Sequence, residues 1–116
     1  MARSHKPIVW GLFAAGGTVA AFVLPVLILL SGAGVALGLL PASSLEYENL
    51  RSLITHPLTR LVLFGVLFLI LWHAAHRLRI TAHDLGIRAD TLVATVFYAI
   101  AGLGSVLLAI ALMTLA

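Results

Sequence analysis

The sequence predicts an all-α membrane protein of three transmembrane helices, and three observations predict it. Hydrophobic residues make up 62% of the chain and charged residues only 9%, whereas soluble domains carry about 45–50% and 25%. The mean hydropathy is +1.16. Three apolar stretches reach the roughly 20 residues that a membrane span requires. With so few charges, a chain of 116 residues does not cover a water-facing surface, and its hydrophobicity excludes disorder. The absence of cysteine excludes disulfides, thiolate zinc sites and iron–sulfur ligation by this chain. A dispersed net charge of +3 does not suit a nucleic-acid partner.

The first stretch covers residues 8–40 and carries no charge. As a helix it would be about 50 Å long at 1.5 Å per residue, more than a hydrocarbon core of about 30 Å. It must therefore tilt, kink or extend past the membrane, and Pro25 is the expected kink. The run is too long for the apolar region of a signal peptide and is read as a retained span. A polar loop follows from Pro41, holds Glu46, Glu48 and Arg51, and ends at His56-Pro57. Ser44 and Thr55 are the expected caps there, and Pro57 suits a first helical turn.

The second span covers residues 58–82 and the third residues 91–115, all within a single domain over residues 1–116. Gly86 is expected to close the second helix and Asp90 to cap the third. So short a linker makes these two helices antiparallel neighbours. Arg3 and Lys6 precede the first span, and Arg77, Arg79 and Arg88 surround the second linker. Only Arg51 and Arg60 lie on the opposite side. Five basic residues against two place the N-terminus and second linker in the cytoplasm and the C-terminus outside.

All four acidic residues, Glu46, Glu48, Asp84 and Asp90, fall in linkers or at helix ends. A cation-coupled transporter usually carries a carboxylate near the bilayer midplane, so this pattern argues against one. The chemistry-bearing segment runs from Trp72 to Asp84. At about 100° per residue, His76 and His83 point almost the same way, with His73 about 60° from His76. Four readings of this stripe compete. It suits an interfacial belt of Trp, Arg and His. His73 and His76 suit a metal pair, but no third ligand completes the site. One histidine suits a haem ligand, with the other ligand from a partner chain. Finally, imidazole, guanidinium and indole N–H groups suit a quinone pocket, which needs donors beside an apolar cleft. Trp10 lies at the same depth as this stripe, Trp72 is deeper and suits packing, and Arg60 suits snorkelling to the outer surface.

Gly11-x-x-x-Ala15, Gly16-Gly17, Gly34-x-x-x-Gly38 and Gly102-x-Gly104 allow close helix contacts. Three helices this small bury little alone, which suggests a partner membrane subunit. The alternative is a stand-alone three-span protein such as a holin-like pore or small transporter.

A set of motifs spread over nearly the whole chain narrows these choices. They are Trp10-Gly11-Leu12-Phe13-Ala14-Ala15-Gly16-Gly17, Ala21-Phe22-Val23-Leu24-Pro25-Val26, Leu45-Glu46-Tyr47-Glu48, Thr59-Arg60-Leu61-Val62 and Leu71-Trp72, followed by His76-Arg77 and His83-Asp84-Leu85. In this order and spacing the chain resembles the D-type membrane subunit of bacterial fumarate reductase. That family anchors enzymes of the succinate dehydrogenase and fumarate reductase (complex II) group in the membrane.

The resemblance implies a non-catalytic anchor in the bacterial inner membrane, with no active site within this chain alone. It implies a second, C-type membrane anchor, an iron–sulfur protein and a flavoprotein as partner subunits. FAD and the iron–sulfur clusters would belong to those partners, and menaquinone would bind where they meet the anchor; haem is not expected. The family's tryptophan falls on Trp10 and its His-Arg pair on His76 and Arg77, which the resemblance makes quinone-site residues. His73, His83 and Asp84 are secondary candidates. Two departures stand out: Thr55-His56 replaces a Gln-Ser pair of the enterobacterial relative, and His73 replaces a small residue.

Overall fold

A computed structural model describes residues 4–115, so Arg3, one of the basic residues used for orientation, lies outside the described residues. Among the described residues, three helices are long and apolar enough to cross a membrane: Lys6–Gly34, Pro57–Asp84 and Asp90–Thr114. The first consists of α1 (Lys6–Ile28) and a π-helical continuation (Leu29–Gly34). A 3₁₀ turn (Ala42–Leu45) and a short helix α2 (Tyr47–Thr55) lead into α3 (Pro57–Asp84), and α4 is Asp90–Thr114.

The first span is shorter than the apolar run of residues 8–40. Gly38 takes φ +73, a left-handed conformation that ends a right-handed helix. The amides of Leu39 and Leu40 both turn back to the Gly34 carbonyl, at 2.8 and 3.1 Å. Pro25 lies within α1, and the wide π turn begins four residues later.

The polar loop is more ordered than its composition suggests. Helix α2 carries Glu48 in its first turn, and Asn49 Nδ2 donates to the Ser43 carbonyl at 2.7 Å. Neither Ser44 nor Thr55 caps a helix; Ser44 lies within the 3₁₀ turn and Thr55 ends α2, its hydroxyl donating to the Arg51 carbonyl at 2.9 Å. The cap of α3 is His56, whose Nδ1 accepts from the Leu58 amide at 3.2 Å, with Pro57 in the first turn as expected. Gly86 closes α3 with φ +90. Asp90 does not cap α4: it is the first helical residue, after Ala89, and its carboxylate is engaged elsewhere.

Helix α3 is the centre of the bundle and packs along both α1 and α4. Phe13 and Gly16 of α1 meet His73 and Leu69 of α3, which makes that pair antiparallel. Tyr98 and Gly104 of α4 meet His76 and Leu71, so the second pair is antiparallel too. The start of α1, the end of α3 and the start of α4 therefore share one end of the bundle.

Small residues make these contacts. Ala75, Ala82, Ala101 and Leu112 are the buried apolar side chains of the described residues, with Ser105 the buried polar one. In lipid, close packing replaces the hydrophobic effect as the force between helices. Many of the large apolar side chains are exposed, including Phe22, Ile28, Leu61 and Leu103. That surface suits lipid or another membrane helix.

Arg60 stands near the start of α3. It is half-buried, and its guanidinium donates to the Leu115 carbonyl at the C-terminal end of α4. There it meets a carbonyl that has no partner within the helix, at the negative end of the helix dipole.

Candidate functional site

The shared end of the bundle collects the histidines, and a glycine pair starts the arrangement. A Cβ on Gly16 would lie 2.3 Å from the Leu69 carbonyl oxygen, and one on Gly17 would lie 2.7 Å from Cε1 of His73. Only glycine lets α1 approach α3 this closely, and the space above Gly17 receives the imidazole. His73 Nδ1 donates to the Phe13 carbonyl at 2.9 Å, and its ring stacks on the Phe13 ring at 4.5 Å and 11°. His73 thus joins two helices.

One turn further along α3, His76 lies between Phe13 of α1, at 4.6 Å, and Tyr98 of α4, at 6.4 Å. Its Nδ1 is 2.7 Å from the Tyr98 hydroxyl. Arg79 reaches the same hydroxyl from the next turn, with Nη1 at 3.5 Å and the guanidinium carbon 5.8 Å from the Tyr98 ring centre. Arg79 is itself fixed by Asp90, through Nε to Oδ1 at 2.9 Å and Nη2 to Oδ2 at 2.5 Å. This two-pronged geometry fits guanidinium to carboxylate better than any single contact.

Beside this network lies an apolar cavity of about 330 Å³, lined by Val9, Leu12, Phe13, Phe68, Trp72, His76 and Tyr98. The Trp72 ring packs on Tyr98 at 5.7 Å and on Phe68 at 5.9 Å. Its Nε1–H is buried with no hydrogen-bond partner among the described residues. His76 also borders two further clefts. One holds Arg79, Ile80, His83 and Asp90; the other holds Ser4, His5, Lys6, Val9 and Trp10.

The structure brings some of the expected site residues together and separates others. Trp10 and His76 border the same cleft, with Trp10 69% exposed. Arg77 is exposed and stands outside the cavities that His76 borders. His83 shares a cleft with His76, and its Nε2 is 3.4 Å from Nη1 of Arg88. Asp84 is exposed at the end of α3. His73 is committed to the α1 backbone instead of lining the cavity.

Tyr98 and the Arg79–Asp90 pair are the members that sequence reading missed. The available signal was a tyrosine inside an otherwise apolar span, because a buried phenol usually has a polar partner.

Comparison with known proteins gives one consistent family. The family model described as the D-subunit of fumarate reductase matches residues 1–113. The chain is 40% identical over 105 residues to the fumarate reductase D-subunit of Vibrio campbellii, covering 90% of this chain and 84% of the relative. It is 41% identical to that of Photobacterium profundum, covering 90% and 88%, respectively. It is 43% identical to that of Mycobacterium tuberculosis, covering 89% and 82%.

Proposed function

The chain belongs to the fumarate reductase D-subunit family, and from that premise we propose that it anchors a quinol:fumarate reductase in the bacterial inner membrane and supplies part of its menaquinone site. The observation that carries the quinone reading is the apolar cavity of about 330 Å³ with His76 on its wall. Small-molecule sites are mostly apolar clefts of about this size with a few placed polar groups. The aromatic walls of Phe13, Trp72 and Tyr98 suit a flat ring, and the imidazole supplies a hydrogen-bond partner for its oxygen. Trp10, in the neighbouring cleft, presents an exposed indole at the same end.

In this reading the histidine end faces the cytoplasm, in keeping with the excess of basic residues there. The iron–sulfur protein docks on that end, and electrons pass from menaquinol through it to the flavoprotein. Arg77 and Arg88 are exposed there and offer positive charge to the soluble partners or to lipid phosphate. The outward apolar faces of α1 and α4 receive the second anchor and lipid. This chain carries out no chemistry alone: it binds and orients the quinone while its partners hold FAD and the iron–sulfur clusters.

Purification of the tagged chain in mild detergent tests the anchor role. Co-purification of a second membrane anchor, an iron–sulfur protein and a flavoprotein is expected. Recovery of the chain only as a homo-oligomer would contradict it and favour a self-associating membrane protein.

A further inference from the structure

We infer that Tyr98, held by Arg79 and Asp90, fixes His76 in the tautomer that carries its proton on Nε2, which makes Nε2 a hydrogen-bond donor to an oxygen of the bound ligand. The inference rests on the quinone reading for the ligand's identity, but the tautomer follows from hydrogen-bond accounting.

Arg79 has only donors, so the Tyr98 oxygen accepts from Nη1 at 3.5 Å. The phenolic hydrogen must then find an acceptor. Both Asp90 oxygens face Arg79 nitrogens, at 2.9 and 2.5 Å. The acceptor within reach is His76 Nδ1 at 2.7 Å. Were Nδ1 protonated instead, Arg79 and His76 would both donate to Tyr98 and the phenol hydrogen would have no partner. A phenolic hydrogen left unsatisfied at this part-buried site is disfavoured. A neutral imidazole that accepts on Nδ1 donates on Nε2.

The ring has little freedom to escape this assignment. Phe13 packs on it from α1 and Tyr98 lies beside it on α4. A ring flip would put Cδ2 in the place of Nδ1 and break the contact with Tyr98. Asp90 and Arg79 therefore act on the cavity through Tyr98, and Tyr98 acts through His76. All three are positioning residues, joining the base of the α3–α4 hairpin to the wall of the cavity.

The test uses the assembled complex in lipid with ¹⁵N-labelled histidine. Solid-state NMR reads the protonation of each ring nitrogen, and the signal lost in His76→Gln assigns His76. The wild-type spectrum is expected to show protonated Nε2 and bare Nδ1. In Tyr98→Phe the Nδ1–H form is expected to appear, and the dissociation constant of a short-tailed naphthoquinone to rise about tenfold, the loss of one hydrogen bond of about 1.4 kcal/mol. Asp90→Asn, whose contacts are with Arg79 and not with the imidazole, serves if Tyr98→Phe fails to assemble; it releases Arg79 from its anchor, and the Nδ1–H form is again expected.

A proton on Nδ1 in the wild type, or an unchanged tautomer in these variants, overturns the inference. If the tautomer moves while naphthoquinone binding is unchanged in both Tyr98→Phe and His76→Gln, tautomer control stands and the quinone reading falls. If binding depends on His76 but the tautomer does not move, the quinone reading stands and the inference falls.

Discussion

Arg79 near the end of α3 and Asp90 at the start of α4 form a two-pronged ion pair across the turn between them, with the shorter contact at 2.5 Å. The pair closes the hairpin that Gly86 begins, and through Arg79 it supports Tyr98 further along α4. Both side chains are partly exposed, so solvent screening leaves the pair itself little stabilising effect. Its larger effect is geometric, because it sets where Arg79 meets the phenol.

Arg79→Ala is expected to lower the stability of the α3–α4 hairpin slightly, with the unpaired Asp90 turning to solvent. Thermal unfolding of the purified complex measures this loss. It should shrink in high salt, which already screens the wild-type pair. An equal loss at all salt concentrations would assign Arg79 a packing role instead.

Gly16→Ala is expected to push α1 away from α3, because the added carbon meets backbone oxygen at 2.3 Å. Overpacking of this kind costs about 1–3 kcal/mol. Gly65→Ala is the matched control, since a Cβ there meets nothing within 4 Å among the described residues. Distances between spin labels on α1 and α3 should lengthen in the first variant and stay unchanged in the second.

Arg60→Ala is expected to loosen the last turn of α4, where the guanidinium holds the Leu115 carbonyl. Loss of a hydrogen bond to a charged group costs about 1.5–3 kcal/mol. Hydrogen exchange at Met113 and Thr114 should quicken by about tenfold or more, with partial recovery in Arg60→Lys. Unchanged exchange would mean that lipid or a partner protein holds that end.

The three spans were legible because apolar runs of membrane length have few alternatives in a chain this poor in charge. The hairpin was legible from its short linker and Gly86, which takes the positive φ such a turn needs. The end of the first span was harder to place. Residues 35–40 are as apolar as those before them, and only the conformation of Gly38 stops the helix. Helix α2 was hidden because its nine residues carry mixed polarity, which reads as a loop. The capping roles of Ser44, Thr55 and Asp90 failed for local reasons: His56 took one cap, and Arg79 drew Asp90 away from another.

Within the candidate site, the histidine stripe was visible from helical spacing, but its division of labour was not. His73 and His76 are three residues apart, yet one bonds to the α1 backbone and the other to an α4 phenol. Which neighbour each ring meets depends on how closely α1 approaches, and the Gly16-Gly17 pair sets that distance. The link from Arg79 to Asp90 likewise depends on the register between α3 and α4.

The most direct measurement is menaquinol-dependent fumarate reduction by the assembled, membrane-bound complex carrying His76→Ala or Trp10→Phe. Dye-linked flavin activity in the same preparation reports on the soluble partners. Both variants are expected to slow menaquinol oxidation, His76→Ala by about tenfold or more, equivalent to about 1.4 kcal/mol or more in the barrier, while the dye-linked rate stays at its wild-type level. Unchanged menaquinol kinetics in both variants would contradict the assignment of the quinone site to this end of the bundle.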